Sequence, residues 1–238
     1  MVLAAGFPDL HPGKGIAVGA AFVSRTVFHP TLAGNDIGCG MSFWATDVPA
    51  RKLKLDRLEK RISGLETPWD GDLAHLRAEF GFGASLADAG LGTIGGGNHF
   101  AELQVVEEVR DPRAFAALGL DKANAAMLIH SGSRGLGQDI FRELLAQHGA
   151  QPLADDSAEA AHYIARHEHA MRFARANRAL IARRFADAIG ADARCVSDVA
   201  HNMVTRETLG GEPAWIHRKG AASTREALDC GALMIPGS

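Results

Sequence analysis

Tyrosine is nearly missing from this chain: one residue among 238, within an aromatic content of 6%. That argues against a broad platform of rings on which bases stack. A basic excess is missing too, with 25 Lys and Arg against 28 Asp and Glu and a formal net charge of −3. A nucleic-acid partner would have to be held in a local basic groove, because the whole molecule does not attract one. Cysteine is scarce and odd in number, at Cys39, Cys195 and Cys230. Three thiols make a poor disulfide framework and point to a reducing compartment. No apolar run reaches the length of a membrane span, and Met1 to Pro8 is too short and uncharged for a secretion signal. The expectation is a soluble, cytoplasmic protein without a membrane partner. No internal repeat and no low-complexity linker is visible.

What is present is glycine, 27 residues of it, between short apolar runs. Ile16 to Val18, Ala20 to Val23 and Met41 to Ala45 read as strands, as do His99 to Val106, Ala125 to Ile129 and Val196 to Ala200. Trp215 to His217 and Leu233 to Ile235 are strand-like as well. Helical spacing marks 53–63, 72–80 and 138–148, and Asp111-Pro112 supplies a cap and a first helical residue. The longest periodic stretch is 157–189, with Ala161, Ile164, Ala165, Phe173, Ala176, Leu180, Phe185 and Ile189 on its apolar positions. Strands and helices mix without regular βαβ alternation, so the expected class is α+β.

Five positions in four segments carry metal-ligating chemistry. Asp36 and Cys39 sit in Gly-Asn-Asp-Ile-Gly-Cys-Gly, where glycine lets the loop turn both side chains to one centre. His99 lies where a glycine loop meets a strand, and His130 and His201 lie at the ends of apolar strands. Strand ends are where a rigid framework presents ligands. A carboxylate, a thiolate and three imidazoles suffice for two divalent ions sharing the sulfur. The thiolate favours zinc by affinity, whereas phosphate chemistry often uses manganese or magnesium. Of the other histidines, His162, His167 and His169 read as surface or packing residues of the long helix.

Other polar clusters surround this set. Asp9 to Gly15 reads as a glycine turn with an acid, an imidazole and a base. Ser131 to Gly135 offers hydroxyls, backbone N–H groups and Arg134 ahead of a helix, an anion cradle. His217-Arg218-Lys219-Gly220 reads as a compact basic turn suited to a polyphosphate or an RNA end, with solvated surface the commoner state of a bare charge run. Arg166, Arg172, Arg175, Arg178, Arg183 and Arg184 spread around the long helix, with solvent exposure the default and an RNA-facing stripe the alternative.

Six ordered motifs carry a resemblance. They are Asp-Leu-His-Pro-Gly at 9–13, Gly-Asn-Asp-Ile-Gly-Cys-Gly at 34–40, Gly-Gly-Gly-Asn-His-Phe at 95–100, His-Ser-Gly-Ser-Arg-Gly at 130–135, His201-Asn202, and His-Arg-Lys-Gly-Ala at 217–221. Together they resemble the RtcB family of GTP-dependent RNA ligases, most closely the subgroup found beside a peptide-release-factor homologue. The resemblance runs from near residue 7 to Ser238. It implies a single RtcB-like domain with central mixed or antiparallel sheets flanked by helices. It implies an activity in RNA repair or tRNA splicing, joining an RNA 3′-phosphate or 2′,3′-cyclic phosphate to a 5′-hydroxyl with GTP and two Mn2+ ions. By motif, Asp36, Cys39 and His99 would hold one manganese, and Cys39, His130 and His201 the other. Asn98, His99, Phe100, Ala101, Glu102, His201, Asn202, Pro236, Gly237 and Ser238 would line the guanylate site, and Lys219 would contact phosphate.

One part of the family pattern is missing. The guanylate-accepting histidine lies in a His-Gly-Ala-Gly-Arg motif, which these 238 residues do not contain; His148-Gly149-Ala150 continues as Gln151-Pro152. The expectation is a partial catalytic domain over 1–238, lacking its C-terminal part and inactive in guanylylation by itself. Cut sheets would leave apolar surface exposed and promote self-association. The rival readings are a non-catalytic fragment that binds metal or nucleotide, and a metal-dependent phosphoesterase that needs no histidine nucleophile.

Overall fold

The structure is a computed structural model, and it describes residues 1–13, 15–225 and 231–232. In chain order the elements are β1 (Leu3–Pro12), β2 (Ala17–Ser24), β3 (Val27–Phe28) and β4 (Gly40–Pro49), then α1 (Leu55–Ile62) and α2 (Leu73–Phe80). They continue as β5 (Phe100–Gln104), α3 (Pro112–Ala117), β6 (Asn124–Ser131), α4 (Gly135–His148) and β7 (Leu153–Ala154). The helix α5 (Ala158–Ile189) follows, and then β8 (Ala193–Ala200), β9 (Asn202–Leu209) and β10 (Glu212–Lys219). The class is α+β, as the mixed spacing predicts. Every strand pairing among the described residues is antiparallel.

Two four-stranded sheets dominate, one in the order β1-β2-β10-β9 and the other β5-β6-β4-β8; β3 and β7 pair separately. The chain crosses from the second sheet to the first between β8 and β9, and His201 is the residue at that corner. Helix α5 serves both sheets. Its N-terminal half buries Ala160, Tyr163 and Ala170 against Phe28, Val204 and Trp215. Its C-terminal half buries Ala179, Ile181, Ala182 and Phe185 against Trp44, Met127 and Ile129. A 32-residue helix needs firm ends. The Ser157 hydroxyl accepts from the N–H of Ala160, and Gly190 closes the last turn in the left-handed region, at φ 71°. Among the described residues no helix is long and apolar enough to cross a membrane.

Several local expectations change. Asp9 to Pro12 does not turn: it ends β1, a strand whose ten residues are all exposed. An edge strand open to solvent on both faces carries no alternating pattern by which to recognise it. Ile16–Val18 and Ala20–Val23 belong not to two strands but to one, β2, that starts at Ala17 and passes through Gly19 at φ 76°. His217, Arg218 and Lys219 are not a solvated basic turn. They finish β10; His217 is fully buried, and Arg218 is held by Glu207 and Thr205. The strand expected at Leu233 to Ile235 lies outside the described residues.

Candidate metal centre

The ligand-bearing segments meet at one end of the β5-β6-β4-β8 sheet. Antiparallel pairing places the starts of β4 and β5 beside the ends of β6 and β8. Cys39 immediately precedes β4, His99 immediately precedes β5, His130 is the penultimate residue of β6, and His201 follows β8. In register, His130 faces Met41 on one side and Phe100 on the other. Positions as far apart in sequence as 36 and 201 thus converge.

The turn from Asp36 to Cys39 is fixed by its own backbone and by its neighbours. The Cys39 N–H donates to the Asp36 carbonyl at 3.2 Å, and the Cys39 carbonyl accepts from His201 N–H at 2.8 Å. Gly38 lies at φ 74°, where a Cβ would stand 2.7 Å from that of Ala174, so the turn needs glycine on two counts.

The side chains form two donor sets that share one sulfur: Asp36, Cys39 and His99, and Cys39, His130 and His201. Within each set the donor atoms all lie within 4.8 Å of one another. Cys39 Sγ is 3.1 Å from His130 Nε2 and 3.3 Å from His99 Nε2. His99 Nε2 is 3.0 Å from Asp36 Oδ2, and His130 Nε2 is 3.3 Å from His201 Nε2. The imidazoles meet edge to face, with centroids 5.2 Å apart for His99 and His130 and 5.1 Å for His130 and His201.

Donor chemistry tests whether a cation fits. The Asn98 carbonyl accepts from His130 Nδ1 at 3.0 Å, which fixes the ring proton there. Nε2 then offers a lone pair toward the sulfur and toward His201. Burial holds the His130 imidazole down to about 4, with the neighbouring His99 adding to the effect. Burial, then His130, holds His201 down to about 3. Both rings are therefore neutral at pH 7. The sulfur and the two facing Nε2 atoms converge at hydrogen-bond distance, and a positive ion would draw a lone pair from each. Burial, followed by the Asp36 charge, pushes the Cys39 thiol well up, so the sulfur ionises only when a cation compensates it. Burial alone would raise Asp36, but the His99 and Cys39 hydrogen bonds and the Lys219 charge bring its carboxyl below the ordinary value. The residues present fit divalent cations.

The other expected site residues fall into different places. Asn98 and Glu102 are exposed beside the centre. Phe100 stacks edge-on against His130 at 5.4 Å. Ala101 turns to the opposite sheet face and joins the core. Asn202 has little freedom: its amide donates to the Asp36 carbonyl at 3.2 Å and accepts from Gly220 N–H at 2.9 Å. Lys219 lies against Gly34, where a Cβ would stand 2.9 Å from Nζ. Burial lowers the Lys219 ammonium, against the pull of Asp36 and Cys39. Arg134 crosses the glycine loop, donating to Thr93 Oγ1 at 3.2 Å, with Nη1 3.4 Å from His99 Nδ1. Pro236, Gly237 and Ser238 lie outside the described residues.

The arginines of α5 are mostly engaged with their neighbours. Arg166 pairs with Glu143, Arg172 with Glu168 and Arg183 with Glu79, while Arg184 caps the carbonyls of Gly64, Thr67 and Gly92. Arg172, Arg175 and Arg183 are exposed, as the default reading has them. Arg178 is buried beside Asn177, and both bond to backbone of the ligand segments. Arg178 therefore departs from the solvent exposure expected of it, and Asn177 carried no expectation. The available signal was an amide and a guanidinium on a helix face otherwise filled by Phe173, Ala174, Leu180 and Ile181.

Proteins similar to this chain include RNA-splicing ligases. The family profile described as tRNA-splicing ligase RtcB matches residues 2–78 and 83–238. RNA-splicing ligase RtcB2 of Escherichia coli is 45% identical over 233 residues, covering 98% of this chain and 60% of that protein. RNA-splicing ligase RtcB of Mycobacterium tuberculosis is 30% identical over 289 residues, covering 90% of this chain and 66% of that protein. For tRNA-splicing ligase RtcB of Aeropyrum pernix the identity is 28% over 322 residues, with 97% of this chain and 66% of the relative covered. The chain therefore spans less than two thirds of the length of these relatives. Sequence profile and ordered motifs agree, and this chain belongs to the RtcB family.

Proposed function

We propose that these residues are the metal-binding part of an RNA ligase domain that joins RNA 3′-phosphate or 2′,3′-cyclic phosphate ends to 5′-hydroxyl ends with GTP. The observation that carries the reading is the Cys39 sulfur, common to two donor sets. Asp36, Cys39 and His99 would hold one Mn2+, and Cys39, His130 and His201 the other. Bound there, the two cations would draw charge from a phosphate and stabilise the oxygen that leaves it.

The protein's own groups act around that centre. Neutral His130 and His201 offer lone pairs without competing protons at pH 7. Asn98 and Glu102, exposed next to His99 and Phe100, would meet a guanine nucleotide, together with His99, His201 and Pro236 to Ser238. Lys219 would supply a positive donor to a phosphate oxygen. Asn202 supports the site by holding the Asp36 turn to Gly220. The thiolate requires reducing surroundings, as the cytoplasm provides. The reading treats residues 1–238 as one part of the catalytic domain, since no His-Gly-Ala-Gly-Arg acceptor occurs in them.

Incubation with Mn2+ and labelled GTP tests this. Two bound metal equivalents without a covalent guanylate adduct are expected. An adduct would overturn the assignment of the acceptor to another segment. Absence of metal binding would overturn the centre itself. Opening of a cyclic phosphate without GTP would favour a phosphoesterase instead.

A further inference from the structure

We infer that Asn177 and Arg178, adjacent residues in the middle of α5, are positioning residues that set the geometry of the shared-sulfur centre; the inference rests on the metal reading of that centre. Neither is hydrogen-bonded to a ligand side chain in the bonds described below. Both reach the backbone that carries the ligands.

The Arg178 guanidinium divides its donors among three segments. Nη1 donates to the Gly38 carbonyl at 2.7 Å, next to Cys39, and to the Ser131 carbonyl at 3.0 Å, next to His130. Nε and Nη2 donate to Asp198 Oδ1 at 3.1 and 2.5 Å, three residues before His201. Asn177 serves the remaining segment. Its Oδ1 accepts from Gly92 N–H at 2.7 Å, and Nδ2 donates to the carbonyls of Thr93 and Gly132 at 3.3 Å and to Ser131 Oγ at 3.0 Å. Ser131 Oγ in turn donates to the Ile94 carbonyl at 2.9 Å, ahead of the glycine loop that ends at His99. Two neighbouring side chains thus bond directly beside Cys39 and His130, and to the strand and the loop that lead to His201 and His99.

Packing alone does not call for such a pair. Asn177 and Arg178 are 0% and 2% exposed, and a buried charge costs free energy that an apolar side chain of similar volume avoids. What polar groups add is direction. A planar fork fixes the carbonyls of Gly38 and Ser131 relative to the Asp198 carboxylate, and those carbonyls flank Cys39 and His130. Supports behind ligands of this kind commonly govern metal affinity by about 10-fold or more.

The test uses the full chain, Co2+ alone as the probe, and the variants Arg178→Lys, Asn177→Leu and Asp198→Asn. Arg183→Lys, on the same helix but paired with Glu79, is the control. The readout is the sulfur-to-cobalt absorption band and the cobalt affinity of the folded fraction, with folding followed by near-ultraviolet circular dichroism. The parent and Arg183→Lys should show the same band. Folded Arg178→Lys and Asn177→Leu should bind about 10-fold more weakly or lose band intensity. A folded variant with the parent's band and affinity overturns the inference. Loss of the fold in all three variants also overturns it, because the pair would then serve folding alone. A parent without any sulfur-to-cobalt band refutes the shared-sulfur centre itself and takes this inference with it.

Discussion

Cys39 Sγ lies 3.1 Å from His130 Nε2, across 91 residues of sequence. That contact belongs to one donor set, while the 3.3 Å approach of the same sulfur to His99 Nε2 belongs to the other. Removing the sulfur should therefore disable both sets, and removing His99 only one. In manganese titrations the parent should bind two equivalents, His99→Ala one, and Cys39→Ala none at comparable affinity. One equivalent retained by Cys39→Ala would contradict a shared sulfur.

Gly132 marks a close approach of backbone to the centre. A Cβ there would run into Asp36 Oδ1 and come within 3.2 Å of Cys39 Cα. Gly132→Ala should cost about 1–3 kcal/mol, the usual range for overpacking, and should weaken the Asp36, Cys39 and His99 set more than the other. Urea unfolding followed by a metal titration of the folded variant separates the two effects.

Acid should weaken the fold through a histidine that is not one of the candidate ligands. His167 is buried, and its Nε2 accepts from Val204 N–H at 3.1 Å. Burial, then the nearby His217, lowers its imidazole from 6.5 to about 4. Below pH 6.5 the unfolded chain takes up a proton that the folded chain refuses until about pH 4. Stability is thus level above neutrality and falls as pH drops through that window, by on the order of 3 kcal/mol for this residue. Unfolding curves at several pH values should show the slope, and His167→Gln should make it shallower, with His130, His201 and His217 supplying the remainder. A parent and variant with equal slopes would remove His167 as the cause.

The junction of α5 with α2 and the glycine-rich connection rests on Phe173. The ring is fully buried among Leu76, Phe82, Leu91 and Leu180, with Phe82 centred 5.6 Å away. Phe173→Ala should cost about 3–5 kcal/mol, a large share of the stability of an ordinary domain. Thermal melting read against Arg172→Ala, an exposed neighbour, checks this; the exposed change should stay within about 1 kcal/mol.

Strand β1 is an edge, and Leu3, Phe7 and Leu10 on it are 54%, 43% and 53% exposed. An open edge with apolar side chains invites pairing between copies. Sedimentation should show concentration-dependent association that Leu3→Lys and Phe7→Lys reduce. A parent that stays monomeric at high concentration would count against this.

The candidate ligands were legible because each stands where glycine or a strand end leaves a distinctive local pattern. The long helix was legible for the same kind of reason: Phe173, Leu180 and Phe185 recur at helical spacing between Ser157 and Gly190. Strand β1 was not legible, because exposure on both faces removes alternation. Strand β9 was missed because Met203 and Val204 give way to Thr205, Arg206 and Glu207. The basic cluster at 217–219 misled because charge suggests solvent. In the structure Arg218 finds Glu207 on the neighbouring strand, a partner that only β9-β10 pairing supplies. Arg178 misled likewise, since its carboxylate partner Asp198 lies on a different element.

Helix α5 passes beneath both sheets and carries Asn177 and Arg178 midway along its length. Each residue of an α-helix turns the next by about 100°. Deleting one residue between Tyr163 and Phe173 would leave either the first sheet or the ligand turns facing the wrong side of the cylinder. The helix therefore works as a phase standard, and variation in chain length has to fall in the connections on either side of it.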